Sequence, residues 1–373
     1  MLKKSILTML FAAAIGGSAM AQDTEFEYKF TVVKENPATS VKNQASTGTC
    51  WCFATTSFME SELLRKGKGE FDLSEMFIVR NNYIRRMQDN YYRRGKGNVS
   101  QGSIAHMVLW VMDNKGWMPE EVYNGINYDS PTHSHGDLAK WVSTISQTSV
   151  DMKKPIPAEI MDGVLDAYLG EVPETFTYNG KKYTAESFYK YLDLDVDDYV
   201  EITSFTHHPF YEQIPVEVPD NWDHQMMYNL PLDEFMAVID NAINTGYTVA
   251  WDGDVSEPGY AFQRHVAVNV KENLGSAQTM LATKPVEIPV TQESRQKGYE
   301  NFSTTDDHLE HITGIATDQD GVKYYKTKNS WGTERNGTGY HYLSEEYVKA
   351  KTIFVLVHKD SIPKAIKSKL GIK

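Results

Sequence analysis

The chain has 373 residues, of which 41% are hydrophobic and 23% charged, values of an ordinary globular protein rather than a disordered or fibrous one. Its formal net charge of −13 disfavours a nucleic-acid backbone or an anionic membrane surface as a partner. Cys50 and Cys52 are its two cysteines, and because a single residue separates them they cannot join distant segments through a disulfide.

The first residues have the pattern of an export signal. Two lysines precede an apolar run over residues 6–15, and Ala19-Met20-Ala21 forms a small-x-small cleavage site. We predict a signal peptide over residues 1–21 and a mature chain over residues 22–373. The apolar run is too short to serve as a permanent anchor. The sequence therefore predicts an exported protein, periplasmic or secreted, without a membrane anchor.

Helical patterns dominate the first part of the mature chain, after a short strand predicted within residues 26–33. Apolar residues recur at helical spacing from Cys50 to about Leu64. Two further helices are predicted over about residues 75–87 and 104–114, with Ser74 and Ser103 placed as capping residues. Cys50 is therefore expected at or near the first turn of the first helix.

The last third of the chain has strand patterns instead. Branched and aromatic residues, bounded by Gly, Asp or Asn, predict strands over residues 248–251, 264–270, 311–317, 322–328 and 353–357. Residues from about 125 to 245 show mixed patterns and are interpreted as an inserted, partly helical region. Because helices come first and strands follow, the sequence predicts an α+β fold.

Cys50 is a candidate nucleophile because of its place at a helix start. The positive end of the helix dipole favours the thiolate, which is the nucleophilic form of cysteine. Cys52, two positions later, points away around the helix and is predicted to be a buried small hydrophobe. A thiol nucleophile also needs a base, and the base needs an orienting group.

The candidate base lies in a predicted hairpin close to an asparagine. His311 begins one strand, and the partner strand leads into Asn329. A four-residue turn places His311 opposite Lys328, whereas a two-residue turn places it opposite Ser330. Either register brings Asn329 within one residue of the position facing His311, so we predict His311 as the base. His308, in an acidic stretch three residues earlier, is the alternative.

The segment from Gln44 to Ala54, with its glutamine six residues before Cys50, resembles the active-site segment of papain-superfamily cysteine peptidases. Its form, Asn-Gln-x-Ser-Thr-Gly-Thr-Cys-Trp, is most similar to the bleomycin hydrolase and aminopeptidase C branch. Asn329-Ser330-Trp331-Gly332 likewise resembles the asparagine motif of the superfamily. The resemblance implies a papain-like, two-lobed fold, with the large inserted region at about residues 125–245 lying between nucleophile and base.

The resemblance also implies site roles. Gln44 would donate its side-chain amide, together with the Cys50 backbone N–H, to the oxyanion of the tetrahedral intermediate. Trp331 would shield the contact between the base and Asn329 from water. Gly102 and Ser103 weakly match the glycine-bearing wall that binds extended substrate backbone, and Ser103 as a helix cap is an equally good interpretation. The expected reaction is hydrolysis of a peptide substrate through a Cys50 thioester.

Several alternatives remain open from the sequence. Chains of this branch present a carboxylate from a terminal arm, whereas this chain ends soon after its last strand, so we expect trimming from or near a free N-terminus, with endopeptidase activity as the other outcome. An amidase acting on a non-peptide amide and an exported binding protein on an inactive scaffold are the alternative functions. A homo-oligomer is an open alternative to a monomer.

We expect no cofactor and no metal. Two histidine pairs, His133/His135 and His207/His208, raise the question of a metal site, but neither is accompanied by a second ligand cluster at a recognisable spacing. Surface or packed histidines are therefore expected at both places.

Overall fold

The computed structural model describes residues 26–270 and 284–373, so the predicted signal peptide lies outside the described residues. The helices are α1 (Cys50–Arg65), α2 (Glu75–Tyr92), α3 (His106–Lys115), α4 (Gly136–Met152), α5 (Ala158–Leu169), α6 (Ala185–Leu192), α7 (Leu232–Asn244), α8 (Gln292–Glu300), α9 (Glu345–Lys351) and α10 (Lys364–Leu370). None of the helices in these two ranges is long and apolar enough to cross a membrane.

The strands are β1 (Thr31–Glu35), β2 (Phe176–Tyr178), β3 (Lys181–Tyr183), β4 (Tyr199–Thr203), β5 (Gln213–Pro215), β6 (Met226–Asn229), β7 (Val249–Gly253), β8 (Tyr260–Ala261), β9 (Val266–Ala267), β10 (His308–Thr317), β11 (Lys323–Lys328), β12 (Tyr340–Ser344) and β13 (Thr352–His358). Among the described residues, eleven of them form one sheet in the order β5-β6-β4-β13-β7-β10-β11-β12-β9-β8, with β1 added alongside β10. The β2-β3 hairpin stands apart.

Strand β10 is the central element for the site. It pairs antiparallel with β7 on one side and with β11 on the other. His311 lies opposite Lys328, and the register shifts between Ile312 and Gly314. The first of the two predicted registers is therefore the one present near His311.

Helix α1 lies against this sheet and is buried on all sides. Every residue from Trp51 to Leu63 is buried, because the helix packs on β10 and β7 on one side and on α2 on the other. A helix that is surrounded in this way can be apolar on every face. Its first residue, Cys50, is the partly exposed end of an otherwise enclosed element.

Of the two serines predicted as helix caps, one caps its helix and the other does not. Ser74 caps α2, and its hydroxyl accepts a hydrogen bond from the Phe77 N–H at 3.1 Å. Ser103 does not cap α3, which begins at His106 after Ala105. The Ser103 hydroxyl instead accepts a hydrogen bond from Trp222 Nε1 at 3.2 Å.

The predicted inserted region is partly helical, and it divides between two parts of the fold. Helices α4, α5 and α6 pack on the helical half of the molecule. Strand β4, by contrast, pairs with β13 in the main sheet, and α7 packs on β7 and β10. Helices collect in the first half and most of the sheet in the second, so the predicted α+β class is confirmed.

Candidate active site

The two cysteines have different environments. Cys50 is partly exposed at the first residue of α1, as its predicted place required. Cys52 is fully buried, and its Sγ lies 3.3 Å from the Glu75 carbonyl oxygen. Burial, with the charge of Glu75 as a second cause, raises the pKa of the Cys52 thiol well above its usual value. Cys50 is thus the cysteine that a substrate can reach.

His308 is the histidine beside Cys50. Its side chain is a hydrogen-bonding partner of Cys50, and its Nε2 donates to Asn329 Oδ1 at 2.8 Å. Burial lowers the pKa of His308, but the Cys50 side chain and the charge of Glu310 raise it more, and the net result is about 9. His308 is therefore protonated at neutral pH, the form that pairs with a thiolate.

His311 does not reach Cys50, so the position predicted for it was wrong. Its Nδ1 lies 2.8 Å from the Ser57 hydroxyl, on the opposite face of β10 from His308. Ser57 is seven residues into α1, roughly 10 Å along the helix from Cys50. Burial and the charge of Lys328 lower the pKa of His311 well below its usual value. His311 is a neutral, packed histidine between the helix and the sheet.

Asn329 is held from both ends of its amide. Its Oδ1 accepts from His308, while its Nδ2 donates to Glu310 Oε1 at 2.8 Å and to the Tyr260 hydroxyl at 3.0 Å. These contacts fix the orientation of the amide, because the oxygen faces a donor and the nitrogen faces a carboxylate. The asparagine is in the position that orients a catalytic histidine.

Glu310 was not recognised from the sequence as a site residue. It is fully buried, and its Oε2 lies 2.6 Å from His341 Nε2. Burial raises the pKa of Glu310, but His341 lowers it more, so the pKa is lowered overall. Glu310 therefore carries a negative charge behind Asn329 and 3.8 Å from His308 Nε2. The sequence signal that could have identified Glu310 is its position two residues after His308, which places both side chains on the same face of β10.

Gln44 lies between the Cys50 loop and the Asn329 loop. Its Oε1 accepts from the Ser330 hydroxyl at 2.6 Å, and its Nε2 donates to the Thr47 carbonyl at 2.7 Å. A primary amide has two N–H groups, so one donor is left for a substrate oxygen. The N–H of Cys50, in the first turn of α1, has no intrahelical acceptor. The two groups can together form an oxyanion hole.

Trp331 packs on the catalytic histidine candidate. Its ring centroid lies 4.8 Å from that of His308, at an interplanar angle of 32°. Phe262 and Tyr260 contact the indole edge on, with centroids at 5.1 Å and 6.1 Å. The indole thus covers the contact between His308 and Asn329, whereas the prediction had placed His311 there.

Gly102 and Ser103 do not form an open substrate wall. Ser103 is buried, with 1% of its surface exposed, and bonds to Trp222. The Gly102 carbonyl accepts a hydrogen bond from Arg86, and the carboxylate of Asp220 lies directly over its α-carbon. Segment 216–223 of the predicted insertion therefore occupies the place where the sequence predicted substrate backbone.

The second histidine pair has a carboxylate partner that the sequence did not reveal. Glu217 lies 3.0 Å from His207 Nε2 and 2.6 Å from His208 Nε2, so three potential metal ligands meet. Gln296 donates to His207 Nδ1 at 3.0 Å, and its own oxygen accepts from the Thr206 N–H. Nδ1 is then the acceptor and Nε2 carries the hydrogen of a neutral ring. This pattern favours hydrogen bonding to Glu217 over metal ligation.

The other pair, His133 and His135, is packed inside the protein. Both rings are buried, and their centroids are 6.4 Å apart. Burial, with smaller contributions from Lys42 at His133 and from His133 at His135, lowers the pKa of each ring to about 4. Both histidines are neutral at physiological pH and belong to the core.

Known aminopeptidases are similar to this protein over most of the chain. Aminopeptidase G of Lactobacillus delbrueckii subsp. lactis is 23% identical, over 88% of this chain and 83% of that protein. Aminopeptidase C of Listeria monocytogenes is 22% identical, over 87% and 81%. The crystal structure of PepW from Lactobacillus rhamnosis HN001 has a TM-score of 0.67 at 18% identity, covering 91% of this chain and 84% of that one.

Family comparison matches both halves of the chain. The papain family cysteine proteases match residues 27–191, which include Cys50 and Gln44. The Peptidase C1-like family matches residues 150–372, more than half of the chain, and this range includes His308 and Asn329. The chain is a cysteine peptidase that belongs to the Peptidase C1-like family and, within it, to the aminopeptidase C and bleomycin hydrolase branch.

Proposed function

We propose that this cysteine peptidase is an aminopeptidase in which Cys50 is the nucleophile, His308 the general base and acid, and Asn329 the residue that orients His308. The observation that carries the proposal is the continuous contact from Cys50 through His308 to Asn329, at the N-terminus of a buried helix. The named relatives are aminopeptidases, which supports action at free N-termini.

The reaction follows from these contacts. The Cys50 thiolate attacks the carbonyl carbon of the scissile peptide bond, and the carbonyl oxygen becomes an oxyanion that Gln44 Nε2 and the Cys50 N–H stabilise. The imidazolium of His308 gives its proton to the leaving amine, and the C–N bond breaks to leave a thioester. Neutral His308 then takes a proton from water, whose oxygen attacks the thioester; the C–S bond breaks, and the acid, the Cys50 thiolate and the His308 imidazolium are formed.

Labelling with an epoxide probe of cysteine peptidases tests the assignment of the nucleophile. The probe should modify the wild-type protein at Cys50, and Cys50→Ala should lose both labelling and hydrolysis. Cys52→Ala, the matched control in the same helix, should keep most of its activity because Cys52 is enclosed in the core. Comparable loss in the two variants would contradict the assignment.

We also propose export to the periplasm or the medium, which rests on the lysines, the apolar run and the Ala-Met-Ala sequence at the start of the chain. N-terminal sequencing of the protein purified from cell fractions tests it. Export predicts a mature N-terminus at Gln22 outside the cytoplasm. A cytoplasmic protein that keeps residues 1–21 would contradict it.

A further inference from the structure

Asp252 is an unusual buried acid close to the nucleophile. It lies on β7 opposite Leu309, the residue after His308, and none of its surface is exposed. Both of its carboxylate oxygens are buried without a hydrogen-bond donor among the described residues. A buried carboxylate in this state is costly unless a ligand or a proton satisfies it. Cys50 is close enough for its charge to affect Asp252.

Asp306 forms a pair with Asp252. The two carboxyl groups are close enough to share a proton, which is the one donor that either can offer the other, and Asp306 precedes the proposed base by two residues. Its Oδ2 is also buried without a partner. Within residues 26–270 and 284–373, no lysine, arginine or histidine forms an ion pair with either acid. The pair is thus an uncompensated acceptor site beside the Cys50 and His308 side chains.

Segment 216–223 brings a third carboxylate, that of Asp220. The backbone N–H of Asp220 bonds to the Asp306 carboxyl group, and the charges of the two side chains interact. Among the residues that the structure describes, Asp220 pairs with one cation, Arg86, at 3.4 Å. We call Asp220, Asp252 and Asp306 the acidic cluster. Because one arginine accompanies three carboxyl groups, the cluster has negative charge that a further cation can compensate.

The segment that carries Asp220 is firmly attached to the helical half. Asp223 accepts from His106 Nε2 at 2.6 Å and from Arg85 at 3.1 Å. The Trp222 ring lies under the Arg85 and Arg86 guanidinium groups at 5.0 Å and 5.2 Å. Because the charged contacts of Asp223 and the aromatic contacts of Trp222 anchor the chain directly after Asp220, the carboxylate has a defined position over Gly102.

We propose that the acidic cluster binds the α-ammonium group of the substrate, so that the residue bonded to Cys50 in the thioester is the first residue of the chain. This inference rests on the proposed peptidase function. In the attacked residue the α-nitrogen lies roughly 2.5 Å from the carbonyl carbon. The charges of Cys50 and Asp252 interact, so the acidic cluster is near enough to the nucleophile to attract that ammonium, and the Asp220 carboxylate lies against Gly102, where further substrate residues would extend.

The pH behaviour of the cluster supports this role. Burial and the charges of Asp220 and Asp307 raise the pKa of Asp306 to about 7, although its contacts with Asp252 and with the Asp220 N–H lower it, and burial with the charge of Asp306 raises the pKa of Asp252 well above its usual value. Below that pH the cluster loses charge, and above about 8 a peptide α-amino group loses its proton. Binding of free N-termini should therefore be strongest between about pH 7 and 8, and weaker on both sides. Substrates without an amino group should not show this window.

The test compares two matched substrates of one enzyme. Alanine 7-amido-4-methylcoumarin has a free ammonium group, and its acetylated form lacks it. We expect wild-type kcat/KM to be at least tenfold higher for the free form. Asp252→Asn and Asp306→Asn should lose at least tenfold for the free form, while a neutral epoxide still labels Cys50 at a rate within twofold of wild type. Asp137→Asn, on the exposed side of α4, is the matched control.

Each outcome of the test has a single meaning. Equal losses in hydrolysis and in epoxide labelling would show a general defect of the site and overturn the inference. Equal hydrolysis of both substrates by the wild type would also overturn it, while leaving the cysteine peptidase intact. Absence of labelling and of hydrolysis in the wild type would instead contradict the proposed function.

A lysine side chain of the substrate is the other source of an ammonium group. Acetyl-Lys-Ala 7-amido-4-methylcoumarin places such a group on the second residue before the scissile bond. Hydrolysis as fast as that of the free alanine substrate, lost in Asp252→Asn, would assign the cluster to a side chain and overturn the N-terminal assignment. Affinity for the dipeptide Ala-Ala and its acetylated form, measured with Cys50→Ala, separates binding from chemistry. We expect the free form to bind at least tenfold more tightly.

Discussion

At the scale of single residues, side-chain direction along β10 determines which histidine meets the thiol. Successive side chains of a strand point to opposite faces, so His308 and Glu310 share a face, and His311 lies on the other. The register that pairs His311 with Lys328 makes Asn329 the neighbour of Glu310. Asn329 and His308 therefore meet on one face, and Lys328 and His311 contact Ser57 on the other.

We predict that His308→Ala lowers kcat at least a hundredfold, because it removes the group that moves the proton. His311→Ala, the matched control on the same strand, should keep most of its kcat but lose stability, since it leaves a cavity beside Ser57 and Lys328. Steady-state kinetics and thermal unfolding of both variants measure these effects. An inactive His311→Ala variant that folds normally would contradict the assignment of His308 as the base.

Glu310→Gln tests the charge behind Asn329. Burial lowers the pKa of His308, and Cys50 and Glu310 raise it to about 9, so the catalytic imidazolium persists up to that pH. Removing the negative charge lowers the pKa of His308, and the alkaline limb of kcat/KM should move to lower pH. The measurement is the pH profile of both proteins between pH 6 and 10. An unchanged limb would show that Glu310 acts through packing alone.

At the scale of elements, a segment of the predicted insertion completes the wall of the cleft. Gly102 has no side chain, and this absence lets the Asp220 carboxylate lie against its α-carbon. A Cβ built at Gly102 would lie 2.0 Å from Asp220 Oδ2, far inside van der Waals contact. The glycine that the sequence predicted as a substrate contact is therefore required by a carboxylate instead.

We predict that Gly102→Ala displaces Asp220 and lowers kcat/KM for substrates with a free N-terminus severalfold, with less effect on Cys50 labelling. Gly163→Ala is the matched control, because a Cβ at that position in α5 meets nothing within 4 Å. That control should be active and slightly more stable, by about 0.5 kcal/mol or more, since alanine is the better helix former. Kinetics with normal values for Gly102→Ala would show that Asp220 can move without consequence.

At the scale of the whole molecule, we expect the acidic cluster to lower the free energy of unfolding, a cost retained because the cluster binds substrate. The pKa of Asp306 is raised on folding from its ordinary value near 3.8 to about 7. Between these values the folded state binds more protons than the unfolded state, so its stability falls as pH rises. Buried acids without partners are retained at functional sites at such a cost.

Asp306→Asn should therefore raise the melting temperature at pH 8, by about 2 °C or more, and have less effect at pH 5, where the wild-type acid is already protonated. Thermal unfolding at the two pH values measures the difference. Asp137→Asn should change neither value, because Asp137 is exposed on α4. A wild-type protein that is more stable than Asp306→Asn at pH 8 would contradict this prediction.

The sequence by itself determined the elements and the local chemistry of this protein. The start of α1 at Cys50 and the α+β class follow from local patterns, because helix termini, turns and alternation depend on neighbouring residues. The Gln44 spacing and the Asn329 motif follow from the resemblance to papain-superfamily peptidases. What tertiary structure decided is every contact between distant segments. Which histidine reaches Cys50 depends on strand direction and register, and the acidic cluster joins residues 220, 252 and 306 from three separate elements. Local sequence patterns carry no information about such long-range contacts, because only tertiary packing brings these carboxylates together.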